Sequence, residues 1–147
     1  MKTKLFSLFL LLFAFLSCTD IHTVVEDRYK DGIQKRVCVY KGSGEDKQIL
    51  KESTFYQNKN LQMEGTYKNK KRDGKWIYRY ENGNIWSEGF YKDGKSNGKR
   101  TTYFENGKIR YEGYFTDDQR TGIWRFYDDK GRLVREIDFS APPVVKK

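Results

Sequence analysis

The stretch Ile109-Arg110-Tyr111-Glu112-Gly113-Tyr114-Phe115, with Gly122-Ile123-Trp124 a few residues on, decides the fold. In an extended backbone successive side chains point to opposite faces. Ile109, Tyr111, Gly113 and Phe115 therefore share one face, and Arg110, Glu112 and Tyr114 the other. One period earlier Ile85, Ser87, Gly89 and Tyr91 hold the same places; one period later Leu133, Arg135, Ile137 and Phe139 do. The first face is the expected core side, because it collects the aromatic and aliphatic groups. The glutamates fall on the other.

The period is 24 residues. Glu64, Glu88, Glu112 and Glu136 are spaced by it, as are Gly74, Gly98 and Gly122, and Gly83, Gly107 and Gly131. Gly65, Gly89 and Gly113 follow three of the glutamates. Tyr67, Tyr91, Phe115 and Phe139 form an aromatic column, and Trp76 and Trp124 match across a middle position held by Arg100. Self-similarity at one fixed period marks a supersecondary unit stacked on its copies. Weaker copies lie upstream. Phe55-Tyr56-Gln57-Asn58-Lys59-Asn60-Leu61 precedes Arg79-Tyr80-Glu81-Asn82-Gly83-Asn84-Ile85 by one period. Arg28-Tyr29-Lys30-Asp31-Gly32 precedes it by two periods and three residues, which Gly42-Ser43-Gly44-Glu45-Asp46 can absorb as a longer loop. Four to five units are expected over residues 26–139.

Each unit reads as two strands. Asn82-Gly83, Asn106-Gly107 and Lys130-Gly131 separate strand-like runs, and such pairs favour type I′ hairpin turns in which both central residues take positive φ. The other connection, around residues 92–98, reads as longer, being rich in Gly and Lys. The expected fold is all-β: an elongated antiparallel meander of repeated β-hairpins with mostly local contacts.

The pattern Glu-Gly-x-(Tyr/Phe), then Gly-x-Trp, then (Tyr/Phe)-x-x-x-Gly resembles the MORN-repeat variant of bacterial YwqK-type proteins. Tyr111-Glu112-Gly113-Tyr114-Phe115 with Gly122-Ile123-Trp124 carries the resemblance best, and it extends over residues 37–139. It implies a β-hairpin repeat fold. It also implies an antitoxin label, carried by many relatives, and a likeness to membrane-associated scaffolds. The chain departs from the pattern where Lys70 and Asp118 stand at the counterparts of Gly94, and where Ile137 replaces the last strand glycine.

The N-terminus carries a separate message. Lys2 and Lys4 precede an apolar run from Leu5 to Leu16, broken only by Ser7, and Ser17 comes directly before Cys18. The run is too short for a permanent span and has the flanks of a secretory signal. Ser17-Cys18 resembles a bacterial lipobox, with Phe15 where leucine is usual. The resemblance implies cleavage before Cys18 and acylation at that residue. The expected layout is a signal peptide at 1–17, a lipidated tether at 18–25, the repeat domain at 26–139 and a tail at 140–147. The expected location is the bacterial cell envelope, on the outer membrane, anchored rather than spanning.

Composition agrees with a folded, exported body. Aromatics make up 16% of the chain although its mean hydropathy is −0.90; disordered chains lack such aromatics. The core is expected to be Tyr, Phe and Trp. The chain is +9, and the two lysines of residues 1–17 leave +7. With Cys18 lipidated, Cys38 has no intramolecular partner and reads as a small buried hydrophobe in Val37-Cys38-Val39-Tyr40.

No chemistry-bearing constellation stands out. The one histidine, His22, falls in the tether, and no Cys/His cluster has zinc spacing. No cofactor and no enzymatic activity are expected. The periodic glutamates repeat because the fold repeats, with Lys75, Lys99 and Arg79 as candidate partners. Lys70, Lys71, Arg72, Lys95, Lys99 and Arg100 are expected to stack into a cationic strip along one hairpin edge. Such a strip could meet anionic lipid or glycan, or protect the edge in solvent. Nucleic acid is not expected as a partner of an exported protein. The reading is a non-catalytic envelope lipoprotein that binds or scaffolds protein or glycan; the alternative is an antitoxin-like or immunity protein.

Overall fold

The computed structural model describes residues 20–140. Ten strands follow one another: β1 (Ile21–Arg28), β2 (Gln34–Lys41), β3 (Gln48–Phe55), β4 (Leu61–Lys68), β5 (Lys71–Arg79), β6 (Ile85–Lys92), β7 (Lys95–Tyr103), β8 (Ile109–Thr116), β9 (Gln119–Tyr127) and β10 (Leu133–Asp138). Each pairs antiparallel with its neighbours in sequence, giving one ten-stranded sheet in the order β1 to β10. This is the expected meander. The hairpins β3–β4, β5–β6, β7–β8 and β9–β10 follow the 24-residue period, and β1–β2 is a fifth, degenerate unit. The loop Gly42–Lys47, with a 3-10 turn at Gly44–Asp46, absorbs the extra residues.

The turns differ from expectation in an instructive way. Gly83 N donates to Tyr80 O at 2.9 Å and Tyr80 N to Asn84 O at 2.8 Å. Gly83 has φ 92° but Asn82 is not at positive φ. This is a type I turn closed by a left-handed glycine, a three-residue hairpin loop. Asn82 is used for its side chain, whose Oδ1 accepts from Asn84 N at 2.9 Å, as Asn106 does from Lys108 N. The type I′ turns lie at the opposite ends: Asn69-Lys70 (51° and 62°), Asp93-Gly94 (50° and 90°) and Asp117-Asp118 (48° and 69°). The connection expected to be long is therefore a two-residue turn, with Lys92 paired to Lys95. Gly98, which suggested a loop, has φ 111° inside β7, beside a register shift between Gly89 and Tyr91. It belongs to a bulge, and a bulge glycine looks like a loop glycine in sequence.

The tether is also shorter than expected. Ile21–Val25 pair with β2 from Lys41 to Val37, and His22 stacks on Tyr40 with ring centroids 6.0 Å apart. Ile21, Thr23, Val24 and Val25 are β-branched and suit a pleated surface. Cys18, the signal segment and residues 141–147 lie outside the described residues.

The sheet is one layer thick, so its core is a row rather than a volume. In register across the strands run Val24, Cys38, Glu52, Gly65, Trp76, Gly89, Arg100 and Gly113, continuing to Trp124 and Ile137. Large side chains alternate with glycine. A Cβ on Gly65 would overlap the Trp76 ring, and one on Gly113 the Trp124 ring, so each indole lies over bare backbone. Trp76 Nε1 donates to Thr66 O at 3.1 Å and Trp124 Nε1 to Tyr114 O at 3.2 Å. Trp76 is 0% exposed and Trp124 1%. Burial of such a side chain is worth about 4–6 kcal/mol as an upper estimate. Cys38 is fully buried as expected, and burial pushes its thiol up.

Candidate functional site

The two faces of the sheet carry different chemistry. On the glutamate face every periodic acid has a cation: Glu64 with Lys51 (2.8 Å), Glu88 with Lys75 (2.7 Å), Glu112 with Lys99 (2.9 Å) and Glu136 with Arg125 (2.7 Å). Tyr103 and Tyr127 hydroxyls also donate to Glu88 and Glu112. The lysine hydrogen bonds hold Glu88 and Glu112 below the ordinary glutamate value. Burial and the bond to Glu88 push the Tyr103 hydroxyl up to about 12. Lys75 and Lys99 are the partners expected; Arg79 is not, for its guanidinium donates to Gly83 O. Each of these partly exposed pairs contributes little, because solvent screens it. They offer none of the paired, unequal environments that acid–base chemistry uses.

The six residues expected as one cationic strip are divided among three places. Lys70, Lys71 and Lys95 are exposed at the tight-turn edge. Lys99 is on the glutamate face, held by Glu112. Arg72 and Arg100 turn onto the aromatic face. The reason is pleat parity: within β5 and β7, side chains one or three positions apart leave on opposite faces.

On the aromatic face the arginines lie over rings. Arg72 Cζ is 4.2 Å from the Trp76 ring centroid and 5.6 Å from that of Tyr91, and its Nη1 donates to the Tyr78 hydroxyl at 3.2 Å. Arg120 Cζ is 4.6 Å from Trp124 and 5.5 Å from Phe139. Arg100 departs from both. It occupies the tryptophan column, while Ser96 occupies the column of Arg72 and Arg120. Its guanidinium reaches back to Ser96 Oγ (3.3 Å) and the Tyr91 hydroxyl (3.0 Å) and lies 5.1 Å from Phe115. The middle unit thus restores by a different residue the charge that Ser96 lacks. Burial pushes the Tyr91 hydroxyl up, but the hydrogen bond and charge of Arg100 outweigh it and hold that group low. Among the described residues none of Arg72, Arg100 and Arg120 forms an ion pair. Arg120 was not among the expected site residues; its signal was two periods' distance from Arg72.

Glu52 was missed as well. It stands one period before Trp76, a carboxylate in the tryptophan column, and is 8% exposed. Arg36 Nε and the Tyr67 hydroxyl each donate to it at 2.6 Å. Burial raises this carboxyl, yet the bonds from Tyr67 and Arg36 outweigh burial and hold it below the usual range. Beside it an open hollow of about 420 Å³ is lined by Arg36, Tyr40, Lys47, Tyr67 and Lys70.

A single-layer sheet of repeated hairpins, with its polar groups in recurring columns, defines a β-hairpin repeat protein. Residues 48–69, 72–93 and 96–117 match the family described as MORN repeat variant, so the chain carries three consecutive repeats of that kind, coinciding with the hairpins β3–β4, β5–β6 and β7–β8. Comparison with curated proteins gives no match. The columns of aromatic, glycine and glutamate residues continue into β9–β10 beyond the matched segments. Among the described residues no group of three or more His, Cys, Asp or Glu could hold a metal ion, and no helix is long and apolar enough to cross a membrane.

Proposed function

We propose that this chain is a non-catalytic lipoprotein of the bacterial cell envelope, held on the outer membrane through Cys18, whose repeat sheet binds a protein or glycan. One observation carries the binding reading: a sheet face on which arginines are laid over aromatic rings without carboxylate partners, in the three successive hairpins β5–β6, β7–β8 and β9–β10. Such a face is rigid and rich in unused N–H donors, which suits recognition. The MORN repeats support a binding or scaffolding role. The anchoring half of the proposal rests on the sequence alone, on the apolar run ending in Ser17-Cys18.

The test is capture by the full-length protein from detergent-solubilised envelope membranes, with a partner lost when Arg72 and Arg120 are replaced by glutamine. Capture of a toxin-like protein would point instead to the antitoxin-like role. Turnover of any substrate that depends on Glu64, Glu88, Glu112 or Glu136 would overturn the non-catalytic reading.

A further inference from the structure

Charge is sorted between the two faces with a regularity that the ion pairs alone do not require. From β4 to β10 the strand carboxylates Glu64, Glu88, Glu112, Glu136 and Asp138 each stand next in chain to a member of the glycine row, hence on the opposite face. Asp73, beside Arg72, turns its carboxylate toward Asp93 N. On the aromatic face Glu52 of β3 carries a charge that Arg72 feels, but its carboxylate is held by Arg36 and Tyr67; among the described residues Arg72, Arg100 and Arg120 form no ion pair of their own.

Their strands recur at a fixed interval, and Arg100, though four residues along its strand from the column of Arg72 and Arg120, reaches back to Ser96 in it. The three side chains come from β5, β7 and β9, each two strands from the next, and neighbouring strands are 4.7–4.9 Å apart, so the pitch is about 10 Å. The planes of Arg72 and Arg120 are held over indoles and that of Arg100 by Tyr91 and Ser96 over the Gly89 backbone, leaving their remaining N–H groups in a fork that matches a carboxylate. Between the guanidinium groups lie the half-buried rings of Tyr91 and Phe115, with Phe139 beyond Arg120, apolar surface of the kind that packs against the C–H face of a sugar ring.

Resting on the binding reading above, we propose that this face is a track for an acidic polysaccharide of the uronic acid class. The chain lies across the strands, with a carboxylate to each guanidinium. Two rings of an extended 1,4-linked chain cover about one pitch, so every second uronate meets an arginine and the ring between rests on an aromatic. A lipid surface carries charge without a fixed spacing. The fixed fork, the regular pitch and the interleaved rings favour the polymer.

The experiment is calorimetric titration of the full-length protein, purified in detergent, with oligogalacturonate of six residues, with monomeric galacturonate, and with vesicles containing phosphatidylglycerol. The hexamer should bind and the monomer should bind far more weakly. Replacing Arg72, Arg100 and Arg120 together by glutamine should weaken hexamer binding by at least about tenfold, since charge-assisted bonds are lost at every contact. Replacing Lys51, Lys75 and Lys99 by glutamine changes net charge equally but on the other face, and should leave binding within about threefold. Arg100→Lys, which keeps the charge and loses the fork, should fall between wild type and the triple variant, and serves as the test should the triple variant fail to fold. Equal loss from both faces, equal affinity per uronate for monomer and hexamer, or vesicle binding without hexamer binding would overturn the proposal. A partner captured from membranes alongside an inert oligouronate would sink the track and leave the broader binding reading standing.

Discussion

Replacing Gly113 by alanine adds one methyl group where the Trp124 indole lies on the backbone. Gly113 is not at positive φ, so the backbone accepts alanine, and the lost freedom of the unfolded chain would by itself stabilise by about 0.4–1 kcal/mol. The new Cβ, however, overlaps Cδ2, Cε2 and Cγ of the indole. That ring has little room to retreat: Phe115 meets it edge-on at 5.1 Å, Phe139 at 6.0 Å, and Arg120 covers it at 4.6 Å. Expelling the indole would cost about 4–6 kcal/mol of burial, whereas spreading the strands costs about 1–3 kcal/mol. The cheaper route prevails, and a net loss of about 1–3 kcal/mol is expected. Gly65→Ala should behave alike against Trp76. Gly89→Ala is the internal control, because its Cβ meets only the end of the Arg100 side chain, Nε at 3.0 Å, Nη2 at 3.4 Å and Cζ at 3.5 Å, which can give by a few tenths of an ångström; its effect should lie within about 0.5 kcal/mol of zero. Urea unfolding followed by tryptophan fluorescence, with a slope of about 1–3 kcal/mol per molar, should show a midpoint drop of about 1 M for Gly113→Ala. Amide exchange should place the loss in β8 to β10, since hairpin stacks weaken locally. If Gly89→Ala is as damaging as Gly113→Ala, or if Gly113→Ala is neutral, the account of the glycine row is wrong.

Other outcomes follow from single side chains. Glu52→Gln should lower stability at pH 7 by about 1–3 kcal/mol, since it weakens bonds from Arg36 and Tyr67 to a charged acceptor. Because the folded carboxyl lies below the ordinary 4.5, wild-type stabilisation is present above that value and is lost as pH falls through it toward the folded value; chemical unfolding between pH 7 and 3 should show a shallower acid loss in the variant. Lys70→Gly relieves a non-glycine residue at φ 62° in a type I′ turn and should raise stability by up to about 1 kcal/mol in the same assay; a loss would contradict the turn assignment. Cys38, fully buried with its thiol pushed up, should resist alkylation in native protein and react on unfolding, as read by mass spectrometry. Cys18→Ser should release the protein from membranes and abolish incorporation of labelled fatty acid; retention of both would end the lipoprotein reading.

The 24-residue columns made the all-β meander, its order and its core face legible without coordinates, because a hairpin stack repeats its contacts along the chain. The proposed lipid attachment at Cys18 rests on the sequence alone and lies outside the described residues. Tertiary structure decided what each column is for. Gly83 and Gly98 look alike in sequence, yet one closes a turn and the other opens a bulge, since φ depends on the partner strand's register. Gly65 and Gly113 leave room for an indole on the neighbouring strand and Gly89 for the Arg100 guanidinium, which only cross-strand pairing reveals. Lys71 and Arg72 are adjacent in the chain and were read as one charge cluster, but the pleat sends one to solvent and the other over Trp76. In sequence Arg100 stands as a departure from the tryptophan column, and Ser96 in an arginine's place goes unremarked. Arg100 and Ser96 become one compensated pair only in the folded sheet, where β6 and β8 supply Tyr91 and Phe115, rings the guanidinium can lie against.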